Sequence, residues 1–117
     1  MDGIAQTDAF FAGKPKQWEL FETLRKNLCA AYPNTRLRVM KTCISFDDPK
    51  PYCYVSLPKK KVEDGLLVSV SLRERMAHPR ILMLVPISKT RFTAHIPVRD
   101  VTEIDEDIVA IIALSRR

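Results

Sequence analysis

Nowhere in the 117 residues does an uninterrupted apolar run approach the roughly 18 to 20 that a membrane span requires. The longest, Ile81 to Ile87, is strand-sized and already contains Pro86. No membrane association is expected. The start of the sequence is equally short of what a secretory signal needs, because Asp2 and Asp8 stand where Lys or Arg would precede an apolar core. Cysteine is scarce: Cys29, Cys43 and Cys53 are odd in number and lack C-x-x-C spacing, which argues against a disulfide framework, a structural zinc site or a redox pair. Free thiols in a reducing, cytoplasmic compartment are the expectation, with no metal or cofactor. Internal repeats, low-complexity tracts and the glycine-and-aromatic spacing of an RNP-type RNA-binding sheet are also missing.

What is present has the balance of a globular chain, 46% hydrophobic and 28% charged, in a length that suits one domain over residues 1–117. A net charge of +5 makes the protein basic, yet acidic residues interleave with the scattered cations, so charge alone does not mark it as nucleic-acid binding.

Thr7 to Gly13 opens with a residue suited to capping and stops at glycine, the pattern of one or two helical turns held by Phe10 and Phe11. From Pro15, residues Trp18, Phe21, Leu24, Leu28 and Ala31 recur at helical steps until Pro33, giving an amphipathic, core-facing helix. The period then changes to two. Arg36 to Phe46 reads as one long strand with Met40, Ile44 and Phe46 on one face and Lys41, Cys43 and Ser45 on the other, bent near Met40 because Leu37 and Val39 are out of phase. After the turn Asp47 to Pro51, the stretch Tyr52 to Leu57 alternates with Cys53, Val55 and Leu57 inward and Tyr52, Tyr54 and Ser56 outward.

Pro58 to Gly65, with Lys59, Lys60 and Lys61, reads as a solvated loop. Leu66, Val68, Val70 and Leu72 form a clean inner row, and Phe92, Ala94, Ile96 and Val98 another; Pro97 points to an edge or a strand end. Ile81 to Val85, apolar throughout, fits either a strand or a buried connection. Thr102 with Asp105 resembles a capping box before a closing helix carrying Ile104, Ile108, Ile111 and Ile112, acidic at its start and ending in Arg116 and Arg117, as the helix dipole favours. The expected architecture is α+β: an antiparallel sheet of four to five strands with an N-terminal and a C-terminal helix packed on one face.

Function is then expected on the uncovered face, which collects tyrosines, small hydroxyls, cations and a histidine with no carboxylate on the strands. Lys41, Tyr52, Tyr54, Arg73, His95 and Arg99 are the candidate ligand-binding residues of a non-catalytic module for an anionic or aromatic ligand or a protein partner. A different class of reading is a small hydrolase or transferase in which His95 acts as base with Lys41 or Cys43 assisting. A third is single-stranded nucleic-acid binding, with Tyr52 and Tyr54 stacking bases on a basic sheet. The oligomeric state is not readable from these features.

Phe10-Phe11-Ala12-Gly13-Lys14, then Phe21 and Leu24, Lys41-Thr42 with Ile44 and Phe46, and Arg91-Phe92 with His95 before an Asp105-containing helix resemble a widespread bacterial domain family of unknown function, sometimes labelled a predicted transport protein. The resemblance spans nearly the whole chain and implies no established activity. Lys41 and His95 match the family's polar pattern. In the family the last strand tends to carry paired histidines, whereas here Ala94 precedes His95.

Overall fold

The computed structural model describes residues 7, 9–57 and 65–116. Helix α1 (Pro15–Ala31) is followed by six strands, β1 (Arg36–Val39), β2 (Cys43–Asp47), β3 (Pro51–Ser56), β4 (Leu66–Leu72), β5 (Met83–Ser88) and β6 (Arg91–Val98). A 3-10 turn (Val101–Glu103) then leads into helix α2 (Glu106–Leu114). The lysine run at 59–61 lies outside the described residues. No helix among them is long and apolar enough to cross a membrane.

Helix α1 starts where Pro15 has no N–H to waste and stops at Tyr32, one residue before Pro33. It buries Gln17, Leu20, Phe21, Leu24 and Leu28. Ala31, expected on the buried stripe, is exposed at the last position of the helix, just before the chain turns at Tyr32 and Pro33; Leu28 is the last helix residue in the core. Upstream, Gly13 takes a φ of 74°, a left-handed conformation that glycine adopts without a Cβ penalty. It turns the chain so that Phe11 lies over Phe21, with ring centroids 5.0 Å apart.

All strand pairings are antiparallel and the order across the sheet is β1-β2-β3-β4-β6-β5. The sheet thus has six strands where four to five were expected, for two reasons. Arg36 to Phe46 is a hairpin, not a bent strand: Met40, Lys41 and Thr42 form its turn, closed by the Met40 N–H to Cys43 carbonyl bond, and Leu37 pairs with Phe46. The phase conflict between Leu37/Val39 and Ile44/Phe46 marks that reversal. In addition, Met83–Ser88 pairs with β6 as a full strand. Both β4 and β5 run antiparallel to β6, so they are parallel to each other, joined by a crossover through residues 73–82.

Pro97 sits beyond the last β5–β6 pair, Met83 with His95, and one residue before the end of β6, where a missing donor costs the sheet nothing on the β5 side. The alternating rows Leu66–Leu72 and Phe92–Val98 are buried as expected. Apart from Phe92, they join Ile44, Phe46, Cys53 and Val55 and the inward residues of both helices in one continuous core. At about 25 cal/mol per Å² of apolar surface removed from water, this shared burial is what holds helices to sheet.

The closing helix begins later than Thr102. Asp100 and Glu103 form the capping box of the 3-10 turn, and Asp105 caps α2 by accepting bonds from the N–H groups of Asp107 and Ile108. Arg80, from the crossover, pairs with Asp105 at 3.1 Å and also reaches the Glu103 carbonyl, tying the crossover to the start of α2.

Candidate functional site

Strand register decides which outward side chains are neighbours. Arg38, Ser45, Tyr54, Ser69, His95 and Met83 stand in one row across all six strands. Within it, the Ser69 hydroxyl lies 2.8 Å from His95 Nδ1. A hydroxyl and an imidazole in hydrogen-bond reach supply two parts of a nucleophilic set, but a third group orienting the imidazole is not among His95's partners in the described residues. Sequence reading missed Ser69 as the partner because the contact spans 26 positions and only the β4–β6 register creates it.

Cys43 stands in the next row, with Ser56, Leu67 and Pro97, and three strands from His95. Three strand spacings amount to roughly 14 Å, too far for proton transfer between them. Lys41 is exposed in the β1–β2 turn, further along the same direction. Neither converges on His95.

The face is also not free of carboxylates. Asp47 ends β2, pairs with Arg38 at 3.2 Å and accepts a 2.5 Å bond from the Ser45 hydroxyl. Ser45, expected on an open polar face, is fully buried in the middle of that small network.

Tyr52 departs most from expectation. The pairing shifts between Phe46 opposite Cys53 and Asp47 opposite Pro51, leaving Tyr52 as the extra residue of a bulge. Two successive bulge residues can face the same side, and here Tyr52 and Cys53 are both buried. Tyr52 therefore packs into the core end, 5.5 Å from the Tyr32 ring and 6.3 Å from Phe46, with its hydroxyl 2.8 Å from Thr35 Oγ1. Burial pushes its phenol up to about 12, the Thr35 bond and Arg116 opposing the shift in part. Burial likewise pushes the Cys53 thiol upward.

The remaining candidates divide between the two ends of the sheet. Arg99 follows β6 at the end that also carries Cys43 and Lys41, and Arg73 follows β4 at the other. At this second end the turn Asp48–Pro51 with its cis Asp48–Pro49 peptide, the end of β4, the start of β6 and the residues after α2 enclose a cleft of about 320 Å³. Lys50, Arg73, Arg91 and Arg116 line it together with Asp48, Tyr52, Ser71 and Ser115.

Arg116 is the fixed charge of this cleft. Its guanidinium lies 3.8 Å from the Tyr32 ring centroid and 4.9 Å from that of Tyr52, and bonds Asp48 at 3.0 Å. Ser115 anchors the same segment by donating its hydroxyl to the carbonyls of Tyr52 and Ile112. Lys50, Arg73 and Arg91 are exposed, and none forms an ion pair among the described residues. Four cations thus face one carboxylate that is already engaged.

Of the six candidate residues, the structure brings Tyr52 and Arg73 into this cleft, leaves Tyr54 and His95 on the central row, and places Lys41 and Arg99 at the far end. Lys50, Arg91 and Arg116 were not anticipated. They belong to a turn, the first position of β6 and the segment after α2, which no alternation pattern connects.

The profile of one protein family, described as a domain of unknown function, matches residues 7–115. No curated protein and no solved structure matches the chain.

Proposed function

We propose that this chain, which belongs to the DUF5655 family of domains of unknown function, is a non-catalytic binding module whose ligand is a small anion carrying phosphate or carboxylate groups. The observation that carries the reading is the set Lys50, Arg73 and Arg91, three exposed cations without an ion pair among the described residues, lining a cleft together with the immobilised Arg116. Guanidinium groups match the paired oxygens of carboxylate and phosphate geometrically, and charge-assisted bonds of that kind are about twice as strong as neutral ones. Uncompensated like charges around a concavity also raise the local concentration of an anion. Ser71 adds a hydroxyl at the same rim.

The test is a thermal-shift and calorimetric titration with inorganic phosphate, pyrophosphate and citrate, on the wild type and on Arg73→Glu and Arg91→Glu. Multivalent oxyanions also stabilise proteins without binding, by exclusion from the surface, so the comparison with the variants is what counts. A bound anion at a hundred times its dissociation constant adds about 2.7 kcal/mol of stability, a shift well above that background. The reading expects saturable heat and stabilisation in the wild type and their loss in both variants. Equal responses in all three proteins, or none in any, would remove it.

A further inference from the structure

The cation-lined cleft has a neighbour of different chemistry. Leu72 at the end of β4, Met76 in the crossover and Leu114 at the end of α2 line a second hollow, of about 290 Å³, together with Arg73, Glu74 and Arg75. Leu72 belongs to the core, and Met76 and Leu114 pack against it while staying half-buried. The two hollows adjoin. Arg73 lines both, and the chain passes from one to the other across single peptide bonds, Ser71 to Leu72 on β4 and Leu114 to Ser115 after α2. Strand alternation makes the division, since Ser71 belongs to the outer face and Leu72 to the core.

Charge separates them further. In the second hollow the Arg75 guanidinium lies over the Phe92 ring, 5.1 Å from its centroid, and the Glu74 carboxylate offsets the charge that Arg73 brings. An anion gains little there. An apolar group covered by Leu72, Met76, Leu114 and the aliphatic stems of the arginines gains by leaving water.

We infer that the ligand is an amphipathic anion: an oxyanion held among Lys50, Arg73 and Arg91, carried on an apolar group that lies over Leu72, Met76 and Leu114. This rests on the anion reading above and narrows it to a chemical class. Volume sets the size of the apolar group. A cavity of about 150 Å³ lined by aliphatic and aromatic side chains holds a benzene ring, so this hollow takes one ring or a short alkyl chain. Glu74 adds discrimination, because a ligand anionic at both ends would set its second charge beside that carboxylate.

NMR titration of the full chain with phenyl phosphate, inorganic phosphate and benzyl alcohol tests it, at about pH 8 where both phosphates are dianions. The method measures weak dissociation constants and locates each ligand through the leucine and methionine methyl signals. Phenyl phosphate should bind roughly tenfold tighter than inorganic phosphate or more, the effect of removing about 60 Å² of apolar ligand surface from water. It should also shift the methyl signals of Leu72, Met76 and Leu114, which inorganic phosphate leaves in place. Met76→Gln, similar in shape at a half-buried position, should bring the ratio of the two affinities toward one, whereas Arg91→Glu should weaken both ligands together. Equal affinities in the wild type, or a ratio that Met76→Gln leaves unchanged, overturns this inference and leaves the anion reading standing. The first of these outcomes depends on no variant folding. Absence of binding by both phosphates, or benzyl alcohol binding as tightly as phenyl phosphate, removes both readings.

Discussion

Arg116 lies over Tyr32, its guanidinium carbon 3.8 Å from the ring centroid, while the same group holds Asp48 at 3.0 Å. One side chain thereby joins the end of α2, the end of α1 and the β2–β3 turn. With only about a quarter of the side chain exposed, cation–π and ion-pair contributions together come to about 1 to 2 kcal/mol. Arg116→Ala should lose that amount in chemical denaturation. Arg116→Lys should recover only part, since an ammonium lacks the planar face that stacks on the ring. Full recovery by lysine would mean that charge alone acts at this position.

The buried phenol of Tyr52 makes stability depend on pH in the alkaline range. Its folded pKa, about 12, lies above the unfolded value of 10.0, so folding favours the neutral form. The contribution is complete below pH 10 and disappears as pH rises toward about 12. Tyrosinate absorbance followed against pH should show a late phase that coincides with loss of structure. Tyr52→Phe should remove this phase and, by breaking the bond to Thr35, cost about 1 kcal/mol at neutral pH. A late phase that persists in Tyr52→Phe would assign it elsewhere.

Phe46 is fully buried, with its ring centroid 5.8 Å from that of Phe21 and 6.3 Å from that of Tyr52, so it links α1 to the bulge of β3. Phe46→Ala should cost about 3 to 5 kcal/mol. Against a total of roughly 5 to 15 kcal/mol that loss is large enough to unfold a substantial fraction of molecules. Phe46→Leu, which keeps most of the volume, should cost clearly less. Equal costs for the two would show that the cavity is not what matters.

The three free cysteines differ in access. Cys53 is fully buried and its thiol is pushed up by that burial, while Cys29 and Cys43 are partly exposed. Alkylation of the native protein followed by peptide mass analysis should modify Cys29 and Cys43 first and Cys53 only under denaturing conditions, because the thiolate is the reactive form. Early labelling of Cys53 would mean that the β3 bulge opens readily.

How far the sequence reaches can be judged residue by residue. Leu66 to Leu72 and Phe92 to Val98 alternate without exception and are buried as written, and Pro15 and Pro33 bracket α1 closely. The reading fails where one residue changes the phase. Met40-Lys41-Thr42 contains no glycine, proline or asparagine, so a hairpin turn passes for strand. Tyr52 is displaced to the core by a single extra residue in β3, which alternation counted from Leu57 cannot register. The cleft is illegible for a different reason: Lys50, Arg73, Arg91 and Arg116 are far apart along the chain and meet only through strand order.

The crossover through residues 73–82 imposes an order of assembly. Because β6 lies between β4 and β5, the fifth strand has no place to dock until the sixth has been made. A chain still lacking residues 91–98 can build the meander β1 to β4, but β5 would dangle and β4 would stand as a raw margin. Such distant pairings are slow to form, since loop closure precedes any gain from contact. The last quarter of the polypeptide is thus the keystone: its arrival decides when the sheet is finished, and shortening the chain there would strand an otherwise intact apolar segment.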